Sequence, residues 1–588
     1  MDTKLTESCA RSASWAWVIP LASRNCWTTS PSFLVAIHSP CTSEFRLAVE
    51  VRHLYSCRPT HSWLSRRSAV SWTLGRIVRE HARGRGDRPM ITYGERVITW
   101  SEMDARSSRV AQGLFAAGLA EQSRVAFLDK NGPEYFEVLF GGGKANVVNV
   151  AVNWRLTAAE MAYVINDAEA KILFVGPDFL GHLEEMEGSL KSVEKIVVLG
   201  AHARHEAYEA WLARHPADDP GRTSVPDDVA MQLYTSGTTG LPKGAMLTNA
   251  SLGTLLPYVG SFWHFDETSV NLVCMPLFHI GGSGWALVGM GRGCHSILVR
   301  EFVPQEILAA LERHRITNAL FVPAMLQFLT MVPGAADRNY SALRSVVYGA
   351  SPITNEVLVR SMKAFRCPFI QVYGLTETTG AITQLPAADH EPEGPRARLL
   401  RSAGKPFPWV EIRIVEPGSG QDCARGTVGE IWTRSVQNFK GYWGKPEETA
   451  RTLDADRWLR TGDAGFLDED GYLFLTDRVK DMIISGGENV YPAEVENALF
   501  DHPAIADVAI IGVPDDRWGE TVKAIVVRKA GVDAQPRDII AFARERLAHY
   551  KCPTSVDFAE SLPRNPSGKL LKRELRERYW KGRERRIN

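Results

Sequence analysis

Residues 234–244 read Tyr-Thr-Ser-Gly-Thr-Thr-Gly-Leu-Pro-Lys-Gly. Gly237, Gly240 and Gly244 let the backbone approach an anion closely and point amide groups at it. Thr235, Ser236, Thr238 and Thr239 add hydroxyl donors, and Lys243 adds a fixed positive charge. The spacing GxxxxGK[ST] of a Walker A loop is absent. Taken alone, a Ser/Thr/Gly stretch of this kind is more often a plain connection. Its setting is more telling: it follows a strand candidate, Val229–Tyr234, and precedes a helix that Thr248 can cap.

Strand and helix signals alternate on both sides of this stretch. Ser101 and Glu102 open a helical pattern with Val110, Leu114 and Phe115 on one face. Arg124–Leu128 reads as a strand, Asn131-Gly132 as a turn, and Glu134–Phe140 as the start of a helix. Further on, Pro304–His314 reads as a helix with proline in its first turn. Thr317–Val322, Ser345–Tyr348 and Phe369–Tyr373 read as strands, with a helix after Thr354. Such alternation predicts α/β layers with largely parallel sheets. Residues 68–479 exceed a single core, so subdomains are expected within this large domain. Residues 480–588 read as a small α+β domain, with strands at Val508–Val513 and Lys523–Arg528 and a helix at Pro536–Ala548.

The chain has 588 residues, 68 basic and 68 acidic side chains, and 45% hydrophobic residues. That balance excludes wholesale disorder and argues against a dedicated nucleic-acid binder. No apolar run approaches the ~18 residues of a membrane span. Nine cysteines, unpaired in spacing, suggest neither a disulfide framework nor a zinc site, and reduced thiols in the cytoplasm are the default reading. Residues 1–67 differ in texture, with eleven serines, eight Lys/Arg and four Asp/Glu. They read as an atypical extension, either disordered or translated from a start set too early; a targeting peptide is the sharper alternative.

More segments follow in order: Tyr348-Gly349-Ala350-Ser351-Pro352, Gln371-Val372-Tyr373-Gly374-Leu375-Thr376-Glu377 and Arg460-Thr461-Gly462-Asp463. After them come Asp477-Arg478-Val479-Lys480-Asp481, Ile484 to Pro492, and Pro563-Arg564-Asn565-Pro566-Ser567-Gly568-Lys569. Together with residues 234–244, this ordered set resembles the adenylate-forming superfamily over about residues 70–580. The texture is most similar to the fatty-acyl-CoA synthetases. One stretch departs: Lys144-Ala145-Asn146-Val147 and Val150-Ala151-Val152-Asn153 lack the Gly and Pro usual there, which puts local packing in question.

The resemblance implies a large AMP-binding domain and a small mobile one. It implies a two-step reaction with ATP, Mg²⁺ and coenzyme A, in which a carboxylic acid becomes an acyl-adenylate and then a thioester. Thr235, Ser236, Gly237, Thr238, Thr239, Gly240 and Lys243 would cradle the phosphates. Glu377 would hold Mg²⁺ and Thr376 would donate to the α-phosphate. Tyr373 would stack on adenine, with Gly349, Ala350, Ser351 and Gln371 lining that pocket. Asp463 would accept from the ribose hydroxyls, and Arg478 would contact ribose or phosphate. Lys569 would bridge the acid and the α-phosphate. Lys480 would be the hinge about which the small domain turns, bringing Gly486 and Gly487 to the thiol tunnel.

His279, in Pro276-Leu277-Phe278-His279, stands where amino-acid-activating relatives carry an Asp, so a substrate ammonium would go unpaired. It would border the acyl pocket and the thiol tunnel, or simply pack as a hydrogen-bonded histidine. Gly281, Gly282, Gly284, Gly289, Gly291 and Gly293 either leave volume for an acyl chain or permit close helix packing. A medium-to-long aliphatic acid is favoured. Residues 572–586 carry eight Lys/Arg against three Asp/Glu. This basic tail reads as a solvated helix face or as a peripheral contact with an anionic membrane. The expectation is a fatty-acid–CoA ligase. The alternatives are an acyl-AMP ligase that loads a carrier protein and a non-catalytic nucleotide- or acyl-binding protein.

Overall fold

Two large sheets organise the chain. The computed structural model describes residues 72–588 except 236–240, 479–480, 486–487, 516, 565–569 and 582–588, and only the backbone at 477, 478, 484, 488 and 489. The chain divides into Met1–Ser68 and Ala69–Asn588, and every element described falls in the second unit.

In the first large sheet, strands Phe369–Leu375, Ser345–Gly349, Asn318–Phe321, Val270–Val273, His295–Leu298 and Pro89–Tyr93 lie side by side and parallel. Its inner strands are buried at nearly every position, as both faces of a parallel sheet are covered. At one end Gly380–Leu385 returns antiparallel to Phe369–Leu375, and the two-residue strand Lys405–Pro406 closes the edge. The second large sheet repeats this plan. Val229–Thr235, Val148–Ala151, Arg124–Leu128, Ile172–Val175 and Lys195–Val198 run parallel. Lys243–Thr248 returns antiparallel to Val229–Thr235, and Gly441–Tyr442 closes that edge.

Helices cover these sheets, and their ends follow local chemistry. Pro133–Ala145 and Pro304–Arg313 each begin on proline, whose missing N–H costs nothing in a first turn. Thr354 caps Asn355–Phe365 by accepting the Val357 amide. The first long helix, Trp100–Ala116, is capped by Thr99 rather than starting at Ser101, because the Glu102 amide reaches the Thr99 hydroxyl at 3.1 Å.

The stretch around Lys144 packs despite its unusual sequence. Lys144 is fully buried, and its ammonium donates to the Asp104 carboxylate at 2.6 Å, the Asp104 carbonyl at 2.8 Å and the Ser108 hydroxyl at 2.8 Å. Three donors meet three acceptors, so the charge is compensated where it is desolvated. Asn146 takes the left-handed conformation (φ 57°) at the helix end, where Gly or Asn is favoured, and its amide holds Asp228 at 3.1 Å.

An antiparallel four-stranded sheet follows: Glu411–Val415, Gly429–Arg434, Leu459–Leu467 and Leu473–Arg478. Beyond it, the strands Ile505–Asp515 and Gly519–Arg528 form a long hairpin, flanked by Ile483–Ser485, Glu488–Val490 and Ser555–Phe558. Ile483, Val495, Leu499, Ile510, Ala524 and Ile539 close one core there, and Ile511, Ile525 and Leu562 another. The helix expected over Pro536–Ala548 ends at Arg544, with Ile539 and Ala543 inward. Among the described residues no helix is long and apolar enough to cross a membrane.

Candidate active site

The two ends of the stretch 234–244 are paired strands of a hairpin. The expected strand continues to Thr235, but a second strand, Lys243–Thr248, intervenes before the helix. Thr235 pairs with Lys243 and Tyr234 with Gly244 across the hairpin. Thr248 does cap the helix Asn249–Phe262, in a reciprocal box with Ser251. A Cβ at Gly244 would lie 2.4 Å from the Gln232 amide, so a larger residue there would displace the Gln232 side chain. Residues Ser236, Gly237, Thr238, Thr239 and Gly240 lie outside the described residues, as do Lys480, Gly486, Gly487 and Lys569.

A second hairpin, in the other sheet, carries Thr376 and Glu377 on the turn between Phe369–Leu375 and Gly380–Leu385. This turn is tethered from within. The buried Thr378 hydroxyl accepts the Leu375 amide at 2.8 Å and lies 2.7 Å from the Gly380 carbonyl. Gln437 donates to the Thr378 and Ala381 carbonyls at 2.8 and 2.9 Å, and Trp409 orients Gln437 at 2.6 Å.

Glu377 is where the two hairpins meet. Its Oε1 accepts the Tyr442 hydroxyl at 2.8 Å and the Thr235 hydroxyl at 3.3 Å. Its carbonyl accepts the Phe439 amide at 2.8 Å. Oε2 has no partner among the described residues. Burial and the adjacent carboxylate push the Tyr442 phenol up, so it remains a donor. The Lys243 ammonium lies 5.4 Å from the centre of the Tyr442 ring. Sequence reasoning missed Tyr442, because nothing local links it to a carboxylate 65 positions away.

The remaining residues lie on strands of the first large sheet and of the four-stranded sheet. Tyr348 pairs with Gln371 and Gly349 with Val372 on adjacent strands. A Cβ at Gly349 would lie 2.2 Å from the Val372 carbonyl, and Ala350 sits at φ 68°. Ser351 follows at intermediate exposure. Gln371 donates to the Val372 carbonyl at 3.2 Å, while its buried Oε1 finds no partner among the described residues. Such an orphaned acceptor suits a ligand amine. The Tyr373 hydroxyl donates to Asp463 at 2.8 Å. Asp463 pairs across the strands with Arg478, described by its backbone alone. Gly462 turns at φ 69°, and its amide donates to Glu430 at 3.1 Å.

His279 stands just before the helix Ile280–Gly291, half-buried, with its ring 4.5 Å from that of Phe278. Burial, and then the nearby Arg155 charge, lower its pKa to about 4, so the ring is neutral at pH 7. Asn131 braces this corner, accepting the Leu277 amide at 3.1 Å and donating to the Met275 and Val299 carbonyls, each at 3.0 Å. Gly282 and Gly289 permit close packing: added Cβ atoms would lie 2.1 Å from the Pro276 carbonyl and 2.7 Å from the Asn271 amide. Among the described residues, the Met275 methyl, at 3.8 Å, is what a Cβ at Gly281 would meet.

A carboxylate, hydroxyl donors and a lysine meet where the two hairpins touch, and an orphaned amide oxygen lies farther back on the strand that leads to the carboxylate; the set suits a nucleotide. Residues 78–443 match the AMP-binding enzyme family and residues 494–569 its C-terminal domain. The chain belongs to this family and is an AMP-forming acid–thiol ligase. It is 41% identical to the fatty acid–[acyl-carrier-protein] ligase ScoC of Streptomyces coeruleorubidus, over 88% of this chain and 98% of that one. It is 38% identical to a feruloyl-CoA synthase of Amycolatopsis sp, over 83% of this chain and 95% of that one. Among solved structures, ATP-bound MatB from Rhodopseudomonas palustris superposes with a TM-score of 0.78 at 30% identity, covering 87% of this chain and 99% of that one.

Proposed function

We propose that the enzyme activates a fatty acid with ATP and Mg²⁺ and passes the acyl group to coenzyme A. The carboxylate oxygen attacks the α-phosphorus, the bond to pyrophosphate breaks, and acyl-AMP forms. A thiolate then attacks the acyl carbon, and AMP leaves. The first step brings an anion to a polyanion, so positioned positive charge and hydrogen-bond donors carry much of the catalysis.

The observation that carries this reading is Glu377, held at one oxygen by Tyr442 and Thr235. A carboxylate fixed in this way presents its other oxygen to a hard cation. Among the described residues no three His, Cys, Asp or Glu side chains cluster as a metal site. One carboxylate plus nucleotide phosphates is the usual setting for Mg²⁺, which would neutralise phosphate charge there. The 235–243 turn would hold the β- and γ-phosphates and Thr376 the α-phosphate. The orphaned Gln371 oxygen, with Tyr373, Gly349, Ala350 and Ser351, would receive adenine. Asp463 would take the ribose hydroxyls, with Arg478 beside it. Lys569 would bridge the acid and the α-phosphate, and Lys480 would be the hinge bringing Gly486 and Gly487 to the thiol. The neutral His279 would border the acyl chain.

A second reading differs only in the acceptor: the phosphopantetheine thiol of a carrier protein. The 41% identity to a carrier-protein ligase along nearly its whole length favours it. Incubating the enzyme with ATP, Mg²⁺, a fatty-acid panel and either coenzyme A or holo-carrier protein separates the two. Acyl-CoA is the expected product; acyl-carrier protein with no acyl-CoA would replace the first reading with the second. Lys569→Ala is expected to lower acyl-AMP formation about a hundredfold or more, as loss of a transition-state charge contact does. Thioester formation from supplied acyl-AMP should survive, and equal loss in both half-reactions would remove Lys569 from its role.

A further inference from the structure

Behind the 229–248 hairpin, Asp167 gathers three chain segments. It is the last residue of the helix Ala158–Asp167, and its side chain is 12% exposed. A carboxylate at that end faces the negative pole of the helix, so its position needs compensation from outside. The compensation comes from the hairpin and its neighbours. The Tyr234 hydroxyl donates to Oδ2 at 2.8 Å, and Tyr234 immediately precedes Thr235. The Lys445 ammonium lies 3.0 Å from Oδ1, three residues beyond the Tyr442 that holds Glu377. Tyr163, one turn earlier on the same helix, lies 3.3 Å from Oδ1 and equally 3.3 Å from the carbonyl of Pro242, which immediately precedes Lys243. Its single proton serves one acceptor at a time, but the ring sits against both. Gln232 supports Tyr234 from the other side at 3.4 Å.

We propose that Asp167 is a positioning residue for the triphosphate: through Tyr234, Tyr163 and Lys445 it fixes both limbs of the hairpin and the segment that orients Glu377. This rests on the nucleotide reading above. Asp167 touches no substrate. It sets the direction in which Tyr234–Thr235 and Pro242–Lys243 leave the sheet, and losing it would shift these limbs. Phosphate contacts weaken steeply with such misplacement. The contribution is specific to the β- and γ-phosphates, because adenine is assigned to the first large sheet and ribose to Asp463 on the four-stranded sheet.

Titration calorimetry on the full chain tests this, using α,β-methylene-ATP with Mg²⁺ and, separately, AMP. Asp167→Asn is expected to weaken the triphosphate analogue about tenfold, the scale of one charge-assisted hydrogen bond, and AMP less than about twofold. Tyr234→Phe, which removes one hydroxyl, is expected to weaken the analogue about threefold with the same selectivity, and serves if the first variant does not fold. Equal weakening of both nucleotides, or of neither, would make Asp167 a merely structural residue and overturn the proposal. A wild-type chain that binds AMP no worse than the analogue would instead overturn the phosphate assignment of the hairpin, and the proposal with it.

Discussion

The two hairpins are built alike and finished differently. Each arises where a parallel stack ends: Phe369–Leu375 is parallel to Ser345–Gly349 and antiparallel to Gly380–Leu385, and Val229–Thr235 is parallel to Val148–Ala151 and antiparallel to Lys243–Thr248. Each is closed by a two-residue edge strand. One turn, 376–379, is short and cross-tied by Thr378 and Gln437, and presents a single carboxylate. The other, 236–242, is longer and rich in Gly, Ser and Thr. A metal ligand needs one side chain held still, whereas a string of phosphates is better met by many small donors. On the function proposed above, the same sheet-edge device would serve two tasks by what the turn contains.

If Glu377 is the fixed point of this pair, removing its charge should have the largest effect. Glu377→Gln is expected to lower acyl-AMP formation by about 10²–10³ at saturating ATP, measured as pyrophosphate release, the range for losing a preorganised electrostatic contact. Retained activity would break the comparison outright. Tyr442→Phe leaves the carboxylate but removes its orienting donor. About a tenfold loss is expected, with a higher Mg²⁺ requirement, as for other residues that orient a metal ligand. An unchanged Mg²⁺ titration would show that Glu377 does not need Tyr442.

Acid pH gives a smaller, thermodynamic handle on the corner between the sheets. His279 has a pKa of about 4 when folded, against an ordinary value of 6.5. The unfolded chain therefore binds the extra proton between these values, so stability falls as pH drops from 6.5 towards 4 and levels off below. The slope from this residue is at most about 1.4 kcal/mol per pH unit. In His279→Phe the melting temperature should fall less steeply across that window; an unchanged slope would refute the assignment. The smallest effect is expected from Thr248→Ala, which removes the cap behind the 229–248 hairpin. A loss of about 1 kcal/mol in denaturant unfolding is expected, with KM for ATP unchanged. A raised KM would show that the cap also shapes the turn.

Much of this arrangement was legible because its signals are local. Arg124–Leu128 has the bounds expected from sequence, and the helices opening at Pro304 and after Thr354 follow from proline and capping chemistry. The strand Lys243–Thr248 was not legible. Its alternation, with Ala245 and Leu247 inward, spans too few residues to stand out between a glycine-rich turn and a strong cap. The contacts Tyr442–Glu377 and Tyr373–Asp463 join positions 65 and 90 apart, and no periodicity carries such a pairing. Lys144 shows the same limit: in sequence it breaks an apolar pattern, and only the fold brings Asp104 and Ser108 to it.

The central claim is that this seam makes acyl-AMP. The most direct test is mass spectrometry of the full chain with Mg-ATP and a panel of fatty acids, with no thiol acceptor present. Acyl-AMP together with pyrophosphate, lost on replacing Glu377 by Gln, is the result predicted. ADP and phosphate in their place, or adenylate formation indifferent to Glu377, would contradict it.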